Sequence, residues 1–137
     1  MARVLAIDYG EKRVGIAVSD VIGMIAGPLE TIPPDQLMNY LKTYLRQESV
    51  EAIVIGDPKT LDNRPNALSP RVKQVADDIA KTFPSVEVKL FDERFTSSMA
   101  AKAMVEAGFP KKVRRDKANL DKLSATILLQ NFLDSRS

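Results

Sequence analysis

Residues 3–10 read RVLAIDYG and residues 11–20 read EKRVGIAVSD, two apolar runs on either side of a short polar turn. This pattern predicts a β-hairpin whose first strand ends in a carboxylate, Asp8. Residues 4–7 are all apolar, so the strand should be buried on both faces and should present Asp8 at the edge of a sheet. Gly10 and Gly15 suit a tight turn or a close approach of the backbone to a ligand. An ordinary hairpin with a solvated aspartate fits this segment equally well.

The composition narrows the chemistry that the chain can perform. Its 137 residues fit one domain, and it contains neither Cys nor His. This excludes disulfides, zinc fingers, haem ligation through His or Cys, cysteine nucleophiles and every triad that needs an imidazole base. A bound metal must therefore be held by oxygen, as Mg²⁺, Mn²⁺ and Ca²⁺ are. The sequence has neither a signal-peptide pattern nor an apolar run of 18 residues, so we expect a cytoplasmic protein.

The remaining chain alternates strands with helices. Periodicity and turn residues predict strands near 23–32, 52–55 and 86–90, and helices near 35–48, 69–83, 96–108 and 119–134. Three strands that can form a meander, followed by alternating elements, imply a mixed sheet covered by helices. The first, fourth and fifth strands should run parallel and end at one edge, where Asp8, Asp57 and Glu93 would converge.

Carboxylates at one point suggest phosphoryl hydrolysis by two metal ions. Each ion needs oxygen ligands, and the two ions sit about 3.5–4 Å apart. Asp8 and Glu93 end predicted strands 85 residues apart, and Asp92 precedes Glu93. A third acid, Asp121, shares a helical ridge with Ala125, Leu128 and Phe132, which would face the sheet. A first-turn acid that is favoured by the helix dipole is the alternative for Asp121.

Positive charge is concentrated in one segment. Residues 111–117, KKVRRDK, hold five of the 20 basic residues and one of the 18 acidic ones, which leaves the rest slightly acidic. Such a run is typical of a polyanion contact, and a solvated loop is the alternative. Lys12, Arg13, Arg94 and Lys122 could position phosphate or serve as surface charges, and Thr96 could donate to phosphate or cap a helix.

Three separate motifs resemble the YqgF/RuvX family of small Holliday-junction-resolvase-like proteins, which are regarded as nucleases of the 16S ribosomal RNA precursor. The motifs are residues 8–20, residues 92–97 (DERFTS) and residues 121–130 (DKLSATILLQ). The resemblance covers the whole chain as one domain, 1–137. It implies an α/β, ribonuclease H-like fold, a five-stranded mixed sheet with helices on both faces. It also implies that Asp8, Glu93 and Asp121 are the catalytic acids that bind two Mg²⁺ or Mn²⁺ ions.

One loop departs from the family pattern. The family usually has Gly, an apolar residue and Pro after the fourth strand, whereas residues 56–63 of this chain read GDPKTLDN. Asp57 could therefore be an added carboxylate near the metals or an exposed turn residue, and the substrate contacts of this loop are open.

The leading hypothesis is a metal-dependent endonuclease that acts on ribosomal RNA precursors as a monomer or a homodimer. Ribosomal particles are a further candidate partner. A resolvase of branched DNA would share the chemistry, and an RNA-binding factor without turnover is a third hypothesis. An actin-like ATPase would need two such halves, and the chain has only one. The expected substrate-binding residues are Gly10, Lys12, Arg13, Arg64, Arg94, Thr96, Lys111, Lys112, Arg114, Arg115 and Lys122.

Overall fold

Five strands form one mixed sheet with helices on both faces, as the sequence predicts. The structure is a computed structural model that describes residues 2–57, 69–92 and 117–136, of which Ser69, Asp92 and residues 117–122 are described as backbone only. The strands are β1 (Arg3–Tyr9), β2 (Val14–Ser19), β3 (Ala26–Ile32), β4 (Val50–Asp57) and β5 (Glu87–Asp92). The helices are α1 (Leu37–Gln47), preceded by a 3₁₀ turn at Pro34–Gln36, then α2 (Ser69–Thr82) and α3 (Lys117–Ser135).

The strand order β3-β2-β1-β4-β5 places β1 at the centre of the sheet. β1 pairs with β2 in the antiparallel sense, and β2 pairs in the same sense with β3. β1 and β4 are parallel, as are β4 and β5. The predicted convergence of strand ends is therefore confirmed for β1, β4 and β5. We call the edge of the sheet where these three strands end the catalytic edge.

Alternating residues of β1 feed two separate cores, because successive side chains of a strand point to opposite faces. Leu5 and Ile7 pack in the core that includes residues of α1 and α2, such as Leu41 and Ile79. Val4 and Ala6 pack in the other core, where α3 covers the sheet. Val4, Leu5, Ala6 and Ile7 are all fully buried, so the prediction of a strand buried on both faces is confirmed.

β3, one of the two outer strands, begins later than its sequence predicts. The apolar residues of 23–25 were expected to belong to the strand, but β3 starts at Ala26. The amides of Met24 and Ile25 instead donate to Oδ1 of Asp20, at 2.8 and 3.1 Å, and so cannot join the ladder. β3 changes register against β2 between Pro28 and Glu30, immediately after the bend that was predicted at Gly27 and Pro28.

The last helix is longer than predicted, since α3 begins at Lys117 rather than at Asn119. The helix predicted near 96–108 lies outside the described residues. Within the part of the chain that the structure describes, none of the helices is both long and apolar enough to cross a membrane.

Candidate active site at the catalytic edge

Asp8 lies on the central strand between two neighbours that have no side chains. On one side it pairs with Gly15 of β2. On the other side Ile7 pairs with Ile55, so Asp8 and Gly56 are the next residues on β1 and β4. Gly15 and Gly56 are both buried, and Asp8 is half-buried. The carboxylate therefore projects from a trough in the sheet that extends across Gly15 to Thr31 of β3, about 10 Å away at the usual strand spacing.

The face of the sheet that carries Asp8 is the one that α3 covers. Asp8 shares its face with Val4 and Ala6, which contact the α3 core. On β5, the ring of Phe91 packs edge to face on Phe132 of α3, with centroids 5.7 Å apart. Residues from β1 and β5 thus point to α3 from the same side of the sheet.

Asp57 reaches the catalytic edge but belongs to the opposite face. Ile53, Ile55 and Asp57 are spaced two residues apart, so they share one face of the strand. Both isoleucines are buried in the core formed with α1 and α2. At this point β4 still pairs with β5, where Asp57 is opposite Asp92. Asp8 and Asp57 therefore lie at the same edge of the sheet but on opposite faces of it.

The ridge of α3 formed by Ala125, Leu128 and Phe132 faces the sheet, as predicted. Ala125, Leu128 and Phe132 are buried at 0, 0 and 7% exposure. Asp121 lies one turn before Ala125 and is described as a backbone position only. Ser124, three residues after Asp121, is 1% exposed, and its hydroxyl has no hydrogen-bond partner among the described residues. A buried hydroxyl without a partner is unfavourable by about 1–3 kcal/mol, so this end of α3 carries a polar group that packing does not explain.

The hairpin turn brings two basic residues to the catalytic edge. The amide of Gly10 donates to the carbonyl oxygen of Arg13 at 2.9 Å, which closes the turn between β1 and β2. A Cβ at Gly10 would lie 2.7 Å from that same oxygen, so the tight turn requires glycine here. Lys12 is exposed at the turn and Arg13 is half-buried. The structure therefore brings Asp8, Gly10, Lys12 and Arg13 together.

Arg71 is a cation at this edge that the sequence did not single out. Its Nε donates to the hydroxyl of Tyr9 at 3.3 Å, and its guanidinium carbon lies 6.0 Å from the Tyr9 ring centroid. The hydrogen bond to Tyr9 raises the pKa of Arg71 above its ordinary value. The pair lines a cavity of about 50 Å³ with Leu37 and Asp78, on the face away from Asp8. In the sequence, the signal that could have indicated Arg71 is its position in the first turn of α2, which the structure places beside the end of β1.

The other candidate residues lie outside the described part of the chain or are described as backbone only. Among residues 2–57, 69–92 and 117–136 there is no group of three acidic side chains that could hold a metal ion. The side chain of Lys122, like that of Asp121, is not described. Glu93, Arg64, Arg94, Thr96, Lys111, Lys112, Arg114 and Arg115 lie outside the described residues.

Comparison with known proteins identifies close relatives along the whole chain. Residues 2–135 match the family model RuvX, described as Holliday junction resolvase. A protein of Amoebophilus asiaticus is 45% identical over 98% of this chain and 96% of its own length, and bears the name "Putative pre-16S rRNA nuclease". Proteins of the same name from Christiangramia forsetii and Bacteroides thetaiotaomicron are 44% and 45% identical, over 97% and 99% of this chain and 98% and 99% of their own lengths.

Solved structures confirm the expected fold. The RuvC protein of T. thermophilus in complex with a Holliday junction superposes with a TM-score of 0.57 at 20% identity, over 99% of this chain and 96% of that one. A second structure of Thermus thermophilus RuvC gives a TM-score of 0.51 at 17% identity, over 98% and 95% of the two chains. At these identities the likeness shows the ribonuclease H-like fold alone.

Proposed function

The chain belongs to the RuvX family and is a nuclease, and we propose that its substrate is RNA, the precursor of 16S ribosomal RNA. The structural observation that supports a nuclease site is the placement of Asp8, a carboxylate at the end of the central strand, between two glycines and on the face that α3 covers. The names of the relatives, which are 43–45% identical over nearly the full chain, favour RNA over DNA.

We infer that Asp8, Glu93 and Asp121 are the catalytic acids and hold two Mg²⁺ or Mn²⁺ ions. Asp8 and Phe91 lie on the α3 face, Glu93 comes two residues after Phe91 in the sequence, and Asp121 precedes the buried ridge of α3 by one turn. Oxygen-only donors are the set these hard cations prefer, and the chain has no His or Cys to offer instead. The chemistry that such ions supply when bound is activation of a water for in-line attack and stabilisation of the leaving 3′ oxygen.

The chain's own residues then bind and orient the polynucleotide. Lys12 and Arg13 lie in the turn beside Asp8, where they can contact phosphates. Gly10 and Gly15 allow the protein backbone of the hairpin to come close to the polynucleotide. We propose the same role in phosphate or sugar binding for the candidates beyond the described residues, which are Arg64, Arg94, Thr96, Lys111, Lys112, Arg114 and Arg115, and for Lys122. We also propose that residues 1–137 form one nuclease domain. The protein is proposed to be cytoplasmic and either monomeric or homodimeric.

Two matched substitutions test the proposal. Asp8→Asn should lower the rate of Mg²⁺- or Mn²⁺-dependent cleavage of a pre-16S RNA fragment by roughly 100-fold or more, since loss even of a group that supports a metal ligand costs 10–100-fold. Asp57→Asn, at the same edge but on the other face, should stay within about twofold of the unmodified protein. Both rates are measured by gel assay at saturating metal.

The substrate is tested in parallel with a four-way DNA junction. Faster metal-dependent cleavage of the junction than of the RNA would indicate a resolvase, which the description of the family model also suggests. Tight RNA binding that leaves the RNA intact with either metal would indicate a binding factor. Full activity of the Asp8→Asn variant would refute the assignment of the site.

A further inference from the structure

Arg71 lies at a position that is unfavourable for a cation. It is in the first turn of α2, which contains no acidic residue. The N-terminal end of a helix carries a partial positive charge, so a basic side chain there destabilises the helix, whereas an acidic one stabilises it. The stability of α2 therefore does not explain an arginine at this position, and we looked for another role in its contacts.

The guanidinium of Arg71 is held by uncharged groups. Its Nε donates to the hydroxyl of Tyr9 at 3.3 Å, and its Nη1 donates to Oε1 of Gln74 at 3.2 Å. Arg3, by contrast, pairs with the carboxylate of Glu48 at 3.3 Å. The acceptors that hold Arg71 in the described part of the chain thus fix its position without neutralising its charge.

Arg71 keeps hydrogen-bond donors for a ligand. A guanidinium carries more N–H groups than the two hydrogen bonds to Tyr9 and Gln74 require, and the side chain of Arg71 is exposed. The planar arrangement of these donors matches the oxygens of a phosphate, which can accept two parallel hydrogen bonds. Because Tyr9 and Gln74 already order the side chain, less conformational entropy is lost when an anion binds.

Tyr9 connects this cation to the candidate active site. It follows Asp8 at the end of β1, so the two side chains point to opposite faces of the sheet. The Tyr9 ring is 6% exposed in the core formed with α1 and α2, and the guanidinium carbon of Arg71 lies 6.0 Å from its centroid. The end of β1 therefore has an acid on the α3 face and an arginine on the α2 face.

A polynucleotide that crosses the catalytic edge can meet cations on both sides of β1. Lys12 and Arg13 lie in the turn beside Asp8, and Arg71 lies on the other face. A nucleic-acid backbone carries a negative charge at every nucleotide, so cations on both sides of the site can bind it. The cavity that Arg71 lines has a volume of about 50 Å³, too small for a nucleobase, which favours a contact with phosphate.

We propose that Arg71 binds a backbone phosphate of the substrate on the α2 face of the catalytic edge, and that Tyr9 holds the guanidinium in position for this contact. The inference rests on the proposed function for the kind of polynucleotide that is bound. Arg71 extends the cations of the hairpin turn, Lys12 and Arg13, across the end of β1.

The test measures the Kd of the full chain for a pre-16S RNA fragment over a range of salt concentrations, in EDTA so that the RNA stays intact. Arg71→Gln should raise the Kd roughly tenfold and reduce the slope of log Kd against log salt by about 1, because one phosphate contact is lost. Arg71→Lys keeps the charge and should keep the slope. Arg46→Gln, an exposed change in the last turn of α1, is the control and should match the unmodified protein.

Tyr9→Phe separates binding from a purely structural role. It removes the hydrogen bond but keeps the cation, so the slope should equal that of the unmodified protein. If Arg71 only fastens the end of β1, Arg71→Gln and Tyr9→Phe will both lower the thermal midpoint and leave the slope unchanged, which would refute the proposal.

A four-way DNA junction is titrated in parallel, so that failure of the proposed function can be recognised. If only the junction is cleaved when metal is added, RNA is not the substrate, and a slope on the junction that Arg71→Gln reduces would still support the phosphate contact. An equal reduction of the slope in Arg46→Gln would refute the contact, because the slope would then report net charge alone.

Discussion

At the scale of single residues, two glycines define the site as much as the carboxylate does. Asp8 has Gly15 beside it on β2 and Gly56 beside it on β4, so neither neighbouring strand places a side chain next to the carboxylate. A phosphodiester is bulky and charged, and it must approach an acid that is held at the end of a buried strand. The two glycines supply the room for that approach.

Adding one methyl group tests the importance of this room. Gly15→Ala should lower kcat/KM about tenfold, because the new Cβ occupies the trough between Asp8 and Thr31. Gly27→Ala is a matched control in β3, since a Cβ there would meet nothing within 4 Å. Steady-state cleavage rates and thermal midpoints are measured for both. Unchanged kcat/KM in the folded Gly15→Ala protein would show that the substrate does not use the trough.

At the scale of elements, hydrogen bonds from neighbouring segments decide where strands end. The β2–β3 loop is organised by Asp20, whose pKa lies below its ordinary value of 3.8 because the amides of Ile25 and Met24 donate to its carboxylate. The charged form is thus favoured in the folded protein. This contribution to loop stability is fully present above about pH 4 and is lost as the pH falls through the lowered pKa.

Removal of the carboxylate should loosen the loop alone. In Asp20→Ala we expect hydrogen-exchange protection of the Met24 and Ile25 amides to fall about tenfold at pH 7. The unmodified protein should lose the same protection only below pH 4. The amide of Val4, which donates to Oγ of Ser19 at 2.8 Å, serves as the internal reference and should keep its protection. Protection retained at Met24 and Ile25 would mean that Gln130 holds the loop by itself.

At the scale of the whole molecule, the two ends of the sheet have different chemistry. Asp8, Lys12 and Arg13 lie at the catalytic edge and Arg71 lies on its other face, whereas the loop between β2 and β3 at the opposite end exposes Val21, Ile22, Met24 and Ile25. Net charge is only +2, so attraction of a polyanion depends on where the cations lie rather than on their sum.

Salt dependence should report the contacts at the catalytic edge. The logarithm of kcat/KM for RNA should fall linearly with the logarithm of salt concentration, as it does when phosphate contacts release counterions. Lys12→Gln should reduce that slope by about 1. Lys42→Gln, an exposed change on α1, should leave it unaltered. An equal slope for all three proteins would show that Lys12 does not contact phosphate.

Local sequence patterns predict most of the strands and helices of this protein. They fail where contacts with residues far away in the sequence determine the structure. The apolar run at residues 4–7 and the 3.6-residue spacing of Ala125 and Leu128 suffice to predict a central strand and the buried ridge of α3. The face of Asp57 could not be predicted, because β4 is buried on both sides and its residues 52–56 show no polar alternation. Met24 and Ile25 have the composition of a strand, yet their amides donate to Asp20, and the carbonyl oxygen of Met24 accepts from Gln130, more than 100 residues away.

The same limit applies to the candidate site. Asp8 and the glycines around it follow from a short motif and strand pairing. Arg71 was missed, because its position in the first turn of a predicted helix does not by itself link it to Tyr9, 62 residues earlier.

The bend in β3 bears on how the protein behaves at high concentration. β3 is an outer strand of the sheet, and outer strands can recruit strands of other molecules into aggregates. Pro28 has no amide hydrogen, and the register change beside it interrupts the regular spacing that an incoming strand would have to match. We therefore expect the irregularity to disfavour edge-to-edge pairing through β3 between folded chains at high concentration.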